Sequence, residues 1–227
     1  MTNKNLFQFA ESNWGTYKGS ITNISRSNNG ESLVLHSTEI YNFDLICKDL
    51  FPHGNPPCSA DGSCCTNNSI ELIEFKSGFK QKLTKSNYDP KLAECPTHHE
   101  ECVPYYKIFW ENQKRKNQEL IESIRSKAIE SYILLEKHFL LQCAEKDDGA
   151  PSKLSLTVVI DDAGIDGNEN ILSELAGEEN VNDNNIYSIK QALNRLINKT
   201  DANGAPYFYD QISVLTAEEY LSNLNLD

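Results

Sequence analysis

Ile70-Glu71-Leu72-Ile73-Glu74-Phe75-Lys76-Ser77-Gly78 is an apolar, strand-like run with a carboxylate and a lysine two positions apart. Side chains alternate along a strand, so Glu74 and Lys76 project from one face and Glu71 from the other. Neither residue type favours strands, and burying either is costly unless it is paired. Two opposite charges on one face of a central strand are either a salt bridge on a solvated surface or part of a site.

Upstream, Asn5 to Trp14 reads as a short helix with Phe7, Phe9 and Ala10 turned inward, and Asn28-Asn29-Gly30 is a turn signal. Ser32 to His36 and Ile40 to Cys47 read as strands, the second holding Asp44 inside Phe43-Asp44-Leu45-Ile46. Phe51 to Asn68 is rich in Pro, Gly, Asn and Cys and reads as a loop or small insertion. Downstream of Gly78 come Lys80, Lys82 and Lys85, then an irregular Cys/His-bearing stretch from Asp89 to Cys102.

From Pro104 to Cys143 the pattern is helical, with Ile121, Ile124, Ala128, Tyr132, Leu135 and Phe139 at three- and four-residue spacing. The polar segment Glu111 to Glu119 leaves room for a break or a solvent-exposed stretch. Leu154 to Ile160 is the clearest strand, Ile186 to Ile197 a helix and Ile212 to Leu215 a final strand. Thr216 and Glu219 have the spacing of a capping box that opens a last helix. The succession predicts an α/β fold, a mixed sheet flanked by helices, in a single domain over 1–227 with a Cys/His-rich insertion at about 51–69 and 89–102.

The net charge of −12 is unevenly placed. Residues 1–144 carry 17 acidic and 16 basic side chains, and residues 145–227 carry 16 and 5. The acidic C-terminal part 145–227 reads as a solvated surface or one that docks a basic partner, and the near-neutral remainder leaves a nucleic-acid face open. No apolar run is long enough to span a bilayer, and the first residues lack a signal-peptide core, so a cytoplasmic protein without membrane contact is expected. No P-loop, dinucleotide fingerprint or GxSxG is present, which leaves ATP, NAD and serine-hydrolase chemistry without support. Asp161-Asp162 with Gly164 fails the EF-hand pattern and reads as a turn. Lys114-Arg115-Lys116 with Tyr105, Tyr106 and Trp110 reads as a solvated helix face or a backbone contact to nucleic acid.

Phosphodiester hydrolysis needs a positioned water, a metal to polarise it and a cation for the developing charge. Two carboxylates on adjacent strands can hold Mg²⁺ (or Mn²⁺), which prefers oxygen ligands and keeps several waters, and a lysine beside them can orient the water or stabilise charge. An antiparallel hairpin with 48–69 as its connection would bring Asp44, Glu74 and Lys76 together. This combination resembles the PD-(D/E)xK nuclease superfamily, which includes restriction-type endonucleases, junction resolvases and phage-defence nucleases. The resemblance spans about residues 5–160 in element order but only three residues in motif, and Phe43 stands where the family often has proline. It implies a restriction-endonuclease-like αβββαβ core, with Asp44 and Glu74 as metal ligands and Lys76 as the catalytic lysine. It also implies a nucleic-acid substrate, DNA ahead of RNA, in prokaryotic defence or mobile-element biology. A first-helix glutamate in many members points to Glu11, or to Glu39. A basic residue near the phosphate in the later helix points to Arg125 or Lys127. The competing expectations are a non-catalytic module of the same fold that docks a protein partner through its acidic part, and an unrelated zinc-stabilised α/β protein.

Seven cysteines, an odd number, argue against a disulfide framework. Five of them, Cys58, Cys64, Cys65, Cys95 and Cys102, fall close to His53, His98 and His99. Cys95, His98 and Cys102, completed by Cys58, Cys64 or Cys65, could hold a structural Zn²⁺ for loops that lack a core of their own. Free thiols or a redox switch are the alternatives.

Overall fold

The computed structural model describes residues 3–27, 29–66, 69–79, 103–140, 153–161, 185–197, 200, 204 and 208–224. Helix α1 (Asn3–Asn13) and a 3-10 turn (Gly15–Tyr17) lead into strand β1 (Lys18–Ser20), then α2 (Ile21–Ile24), β2 (Glu39–Asn42), α3 (Phe43–Leu50), β3 (Gly62–Cys65) and β4 (Ser69–Lys76). The long helix α4 (Val103–Leu134), continued by a π-helical stretch (Leu135–Leu140), precedes β5 (Lys153–Ile160), α5 (Asn185–Ile197), β6 (Gln211–Thr216) and α6 (Ala217–Leu224). The six strands form one mixed sheet in chain order. β1 to β4 are antiparallel neighbours, and β5 and β6 add in parallel to β4.

Alternation along the central strands builds two apolar layers. Ile70, Leu72, Leu156, Val158 and Ile160 face a larger core with Ala10 and Trp14 of the N-terminal segment, Phe43 and Ile46 of α3, Ile121, Ile124 and Ala128 of α4, and Ile189 and Leu193 of α5. Ile73, Phe75 and Val159 face a smaller core with Ile21 of α2, Val34, Ile40 and Tyr220 of α6. Strands covered on both faces are expected in parallel sheets, which is why β5 reads as a near-continuous apolar run. Trp14 ties the first layer together, edge-on to Tyr41, Phe43 and Phe139 at centroid separations of 5.7, 6.5 and 5.0 Å. Gly62 lets β3 lie close to Ile40: a Cβ there would come within 2.6 Å of the Ile40 Cδ1, and that side chain would have to shift.

Three expectations from the sequence are corrected. Ile40 to Cys47 is not one strand: β2 ends at Asn42, whose side chain accepts the Leu45 N–H and caps α3. Phe43, Ile46 and Cys47 are buried at helical spacing, and Asp44 sits in the first turn with Lys48 four residues on. Ser32 to His36 is not a strand. Its backbone groups are taken by side chains from the α2 region, Ser25 Oγ bonding to both Val34 N and O, and Thr22 Oγ1 to both His36 N and O. The stretch 51–69 is not all loop, since it contains β3. The Thr216–Glu219 capping box forms as expected, with both reciprocal bonds made, and α4 runs through Glu111 to Glu119 without a break.

Tyr209, fully buried, donates its hydroxyl to the Ala128 carbonyl of α4 at 2.6 Å and packs on Tyr132. Tyr209→Phe should lower unfolding stability by about 1 kcal/mol, read as a shift in denaturant midpoint at unchanged slope.

Candidate functional site

The antiparallel register pairs Gly62 with Ile73 and Ser63 with Leu72, so the next step outward sets Asp61 opposite Glu74. Both side chains fall on the sheet face covered by α4. The Asp61 carboxylate bends back onto the motif strand and accepts the Phe75 N–H at Oδ2, 2.7 Å away. Helix α4 fixes the chain entering β3 through three residues of one helical face. Glu130 Oε2 accepts the Cys58 N–H at 2.6 Å, and Ser131 Oγ accepts the Ala60 N–H at 2.7 Å. Lys127 Nζ reaches Asp61 Oδ1 at 2.9 Å.

The same ammonium lies 2.8 Å from Glu74 Oε2, so Lys127 bridges the two carboxylates. Glu74 is 1% exposed, and its second oxygen, Oε1, is buried without a hydrogen-bond partner. Burial, and then the charge of Asp61, pushes the Glu74 carboxyl well above the usual range, against the pull of Lys127 and Lys76. Burial works against the charge on Lys127, but Glu74 and Asp61 outweigh it and hold the ammonium protonated. Lys76, two residues beyond Glu74 on the same face, donates to Ser123 Oγ of α4 at 3.0 Å. Ser123 and Lys127 are one helical turn apart, so α4 places both lysines along the same edge of the carboxylate pair. Beyond Lys76 the chain is clamped: the Asp161 carboxylate at the end of β5 accepts the N–H groups of Gly78 and Phe79 at 2.8 and 3.0 Å. Gly78 there adopts φ +115°, a conformation open to glycine.

The sequence-derived residues divide accordingly. Glu74, Lys76 and Lys127 are brought together, and Asp61, which the sequence reading missed, completes the set. Asp44 does not join them. It lies on α3, with Oδ2 held by Lys48 and Oδ1 accepting from Ser59 Oγ at 3.0 Å. Glu11 on α1 accepts from Tyr41 and Lys18, two strands from Glu74. Glu39 is exposed at the start of β2, opposite Ser20 at the far end of that strand from Asp61. Arg125 is half-buried and pairs with Glu122. Glu71 faces the second core side, as alternation requires, and accepts from Thr157 Oγ1.

Cys95, His98, His99 and Cys102 lie outside the described residues, as do Lys80, Lys82 and Lys85. Of the partners suggested for them, Cys64 packs against the smaller core and Cys65 against the larger, so the two thiols point away from each other. Burial, with Glu71 beside it, pushes the Cys64 thiol up to about 12. Cys58 is exposed.

Among the described residues, no group of three or more His, Cys, Asp or Glu side chains is arranged to hold a metal. The donor set that does converge is two carboxylates with one open oxygen. That set suits Mg²⁺, which is held by one or two carboxylates and otherwise keeps water or substrate phosphate. Among the described residues, no helix is long and apolar enough to cross a membrane. Comparison of the chain with protein-family models, curated proteins and solved structures finds no match.

Proposed function

We propose that the chain is a metal-dependent nuclease of PD-(D/E)xK type, with Asp61, Glu74 and Lys76 as its motif residues. The observation that carries the reading is Asp61, the residue before β3, set against Glu74 of the antiparallel neighbour β4, with the buried Glu74 Oε1 unpartnered and two lysines at its edge. A buried carboxylate oxygen without a donor is costly and calls for a cation. The order of elements also suits the reading. Helix α1, the antiparallel strands β2, β3 and β4, helix α4 and the parallel strand β5 follow the αβββαβ succession that the resemblance implies.

A divalent cation at this pair would supply polarisation of the attacking water and of a phosphate oxygen. Asp61 and Glu74 would hold it. The Phe75 N–H fixes the Asp61 carboxylate against the strand, so this ligand is oriented before any metal arrives. Lys76 is on the motif face with its ammonium held by Ser123, positioned to offset the charge that develops on phosphate. Cleavage of single- and double-stranded DNA and RNA with Mg²⁺ or Mn²⁺, and its loss with chelator, tests the reading. Activity unchanged in both Lys76→Ala and Glu74→Ala would refute it.

A further inference from the structure

We propose that Lys127 is a displaceable counter-ion, holding Asp61 and Glu74 together in the metal-free protein and giving way when a divalent cation binds between them. The inference rests on the metal-site reading and concerns how that site is kept before it is filled.

The oxygens of the pair set the choice. Asp61 accepts from Lys127 at Oδ1 and from the Phe75 N–H at Oδ2, while Glu74 accepts from Lys127 at Oε2 and has Oε1 open. A cation that bridges both carboxylates must therefore approach an Asp61 oxygen that already accepts a hydrogen bond. Competing at Oδ2 would strand a backbone donor of β4, which costs the full desolvation of that group. Competing at Oδ1 releases only a side chain on a flexible four-carbon stem. Lys127 is 23% exposed at its side chain, against 2% for Glu74, so the ammonium has a way out to water that the carboxylate lacks. Charge favours the exchange as well. With both carboxylates ionised, one ammonium leaves the pair with an excess negative charge, whereas a divalent cation balances it, and an ammonium and a divalent cation at the same oxygens repel.

Among the described residues, Lys76, Lys18 and Lys48 are placed differently. Lys76 is on the same face but is engaged by Ser123, and Lys18 and Lys48 pair with Glu11 and Asp44. Among the described residues, Lys127 alone bridges two carboxylates.

The test is calorimetric titration of Mg²⁺ and Mn²⁺, without nucleic acid, into metal-free wild type, Lys127→Met, Lys127→Gln and Asp61→Asn. Removing the competing charge should tighten binding on the order of tenfold in both Lys127 variants, and Asp61→Asn should abolish it. Unchanged or weaker binding in the Lys127 variants, with binding still lost in Asp61→Asn, would overturn the counter-ion and leave the metal site standing. No binding to wild type or to the Lys127 variants would overturn both. A measurement on the wild type needs no variant to fold: with ¹⁵N-labelled lysine side chains, the Lys127 ammonium signal should be protected from exchange without metal and lose that protection at saturating Mg²⁺. A signal that Mg²⁺ leaves unchanged would overturn the proposal.

Discussion

Asp61→Asn is expected to reduce metal-dependent cleavage by about 10³-fold or more, while Asp44→Asn stays within about twofold of wild type. The contrast follows from position. Asp61 faces Glu74 across the β3–β4 pair and shares Lys127 with it. Asp44 faces Lys48 and Ser59 on a different element. Asn at 61 keeps an oxygen that can accept the Phe75 N–H, so the turn into β3 should survive, and what is lost is the charge that would hold the cation. Losing a charged metal ligand removes several kcal/mol of transition-state stabilisation, and each 1.4 kcal/mol is about a factor of ten. Initial rates on DNA and RNA at saturating Mg²⁺, with thermal melts of both variants to show intact folding, check this. Equal losses in the two variants, or a fully active Asp61→Asn, would remove Asp61 from the site.

The same contrast shows what the sequence disclosed. Strand β4, helices α4 and α5, and strands β5 and β6 were legible because each carries enough periodic apolar residues to declare its type. The shared face of Glu74 and Lys76 followed from alternation alone, whereas Lys127 was named, beside Arg125, only through the basic residue that the resemblance implies in the later helix. Asp44 was expected beside Glu74, and Asp61 was overlooked, because two short elements disguise themselves. Phe43-Asp44-Leu45-Ile46 looks like a strand, but its Asn42 cap and the burial of Phe43, Ile46 and Cys47 make it a helix. Gly62-Ser63-Cys64-Cys65 has no strong strand former, and its pairing is imposed from outside by its antiparallel neighbour β4. Local propensity is a weak guide where a central strand supplies the partner. One signal was available: Thr66-Asn67-Asn68 is turn-like and lies directly before the motif strand, which argues for a hairpin partner within residues 61–66 rather than farther upstream. The proposed ligand then follows, since Asp61 is the carboxylate that such a hairpin sets against Glu74.

Glu74→Met is expected to stabilise the metal-free protein by about 1–3 kcal/mol at pH above 8, even as it removes the activity proposed for the site. Removing one partner of a buried ion pair is ordinarily destabilising because a charge is left uncompensated. Here two carboxylates share one bridging lysine, so Lys127 keeps Asp61 when Glu74 is gone, and Lys76 keeps Ser123. Methionine has a similar length and adapts to the space between β4 and α4. The gain should depend on pH. Burial and the Asp61 charge raise the folded carboxyl to about 8, from 4.5 when unperturbed. A group whose folded value is raised contributes most below its unfolded value, and that contribution is lost as pH rises through the folded one. Wild type should therefore lose stability relative to Glu74→Met between about pH 4.5 and 8, with little difference at the acid end and the full difference above 8. Melting temperatures in chelator at pH 5 and pH 8.5 measure it, and a variant less stable than wild type at pH 8.5 would contradict the account. A carboxylate that weakened its own fold at the pH where it is charged would be a physical ground for the proposed reading of β4 as the strand that carries the site.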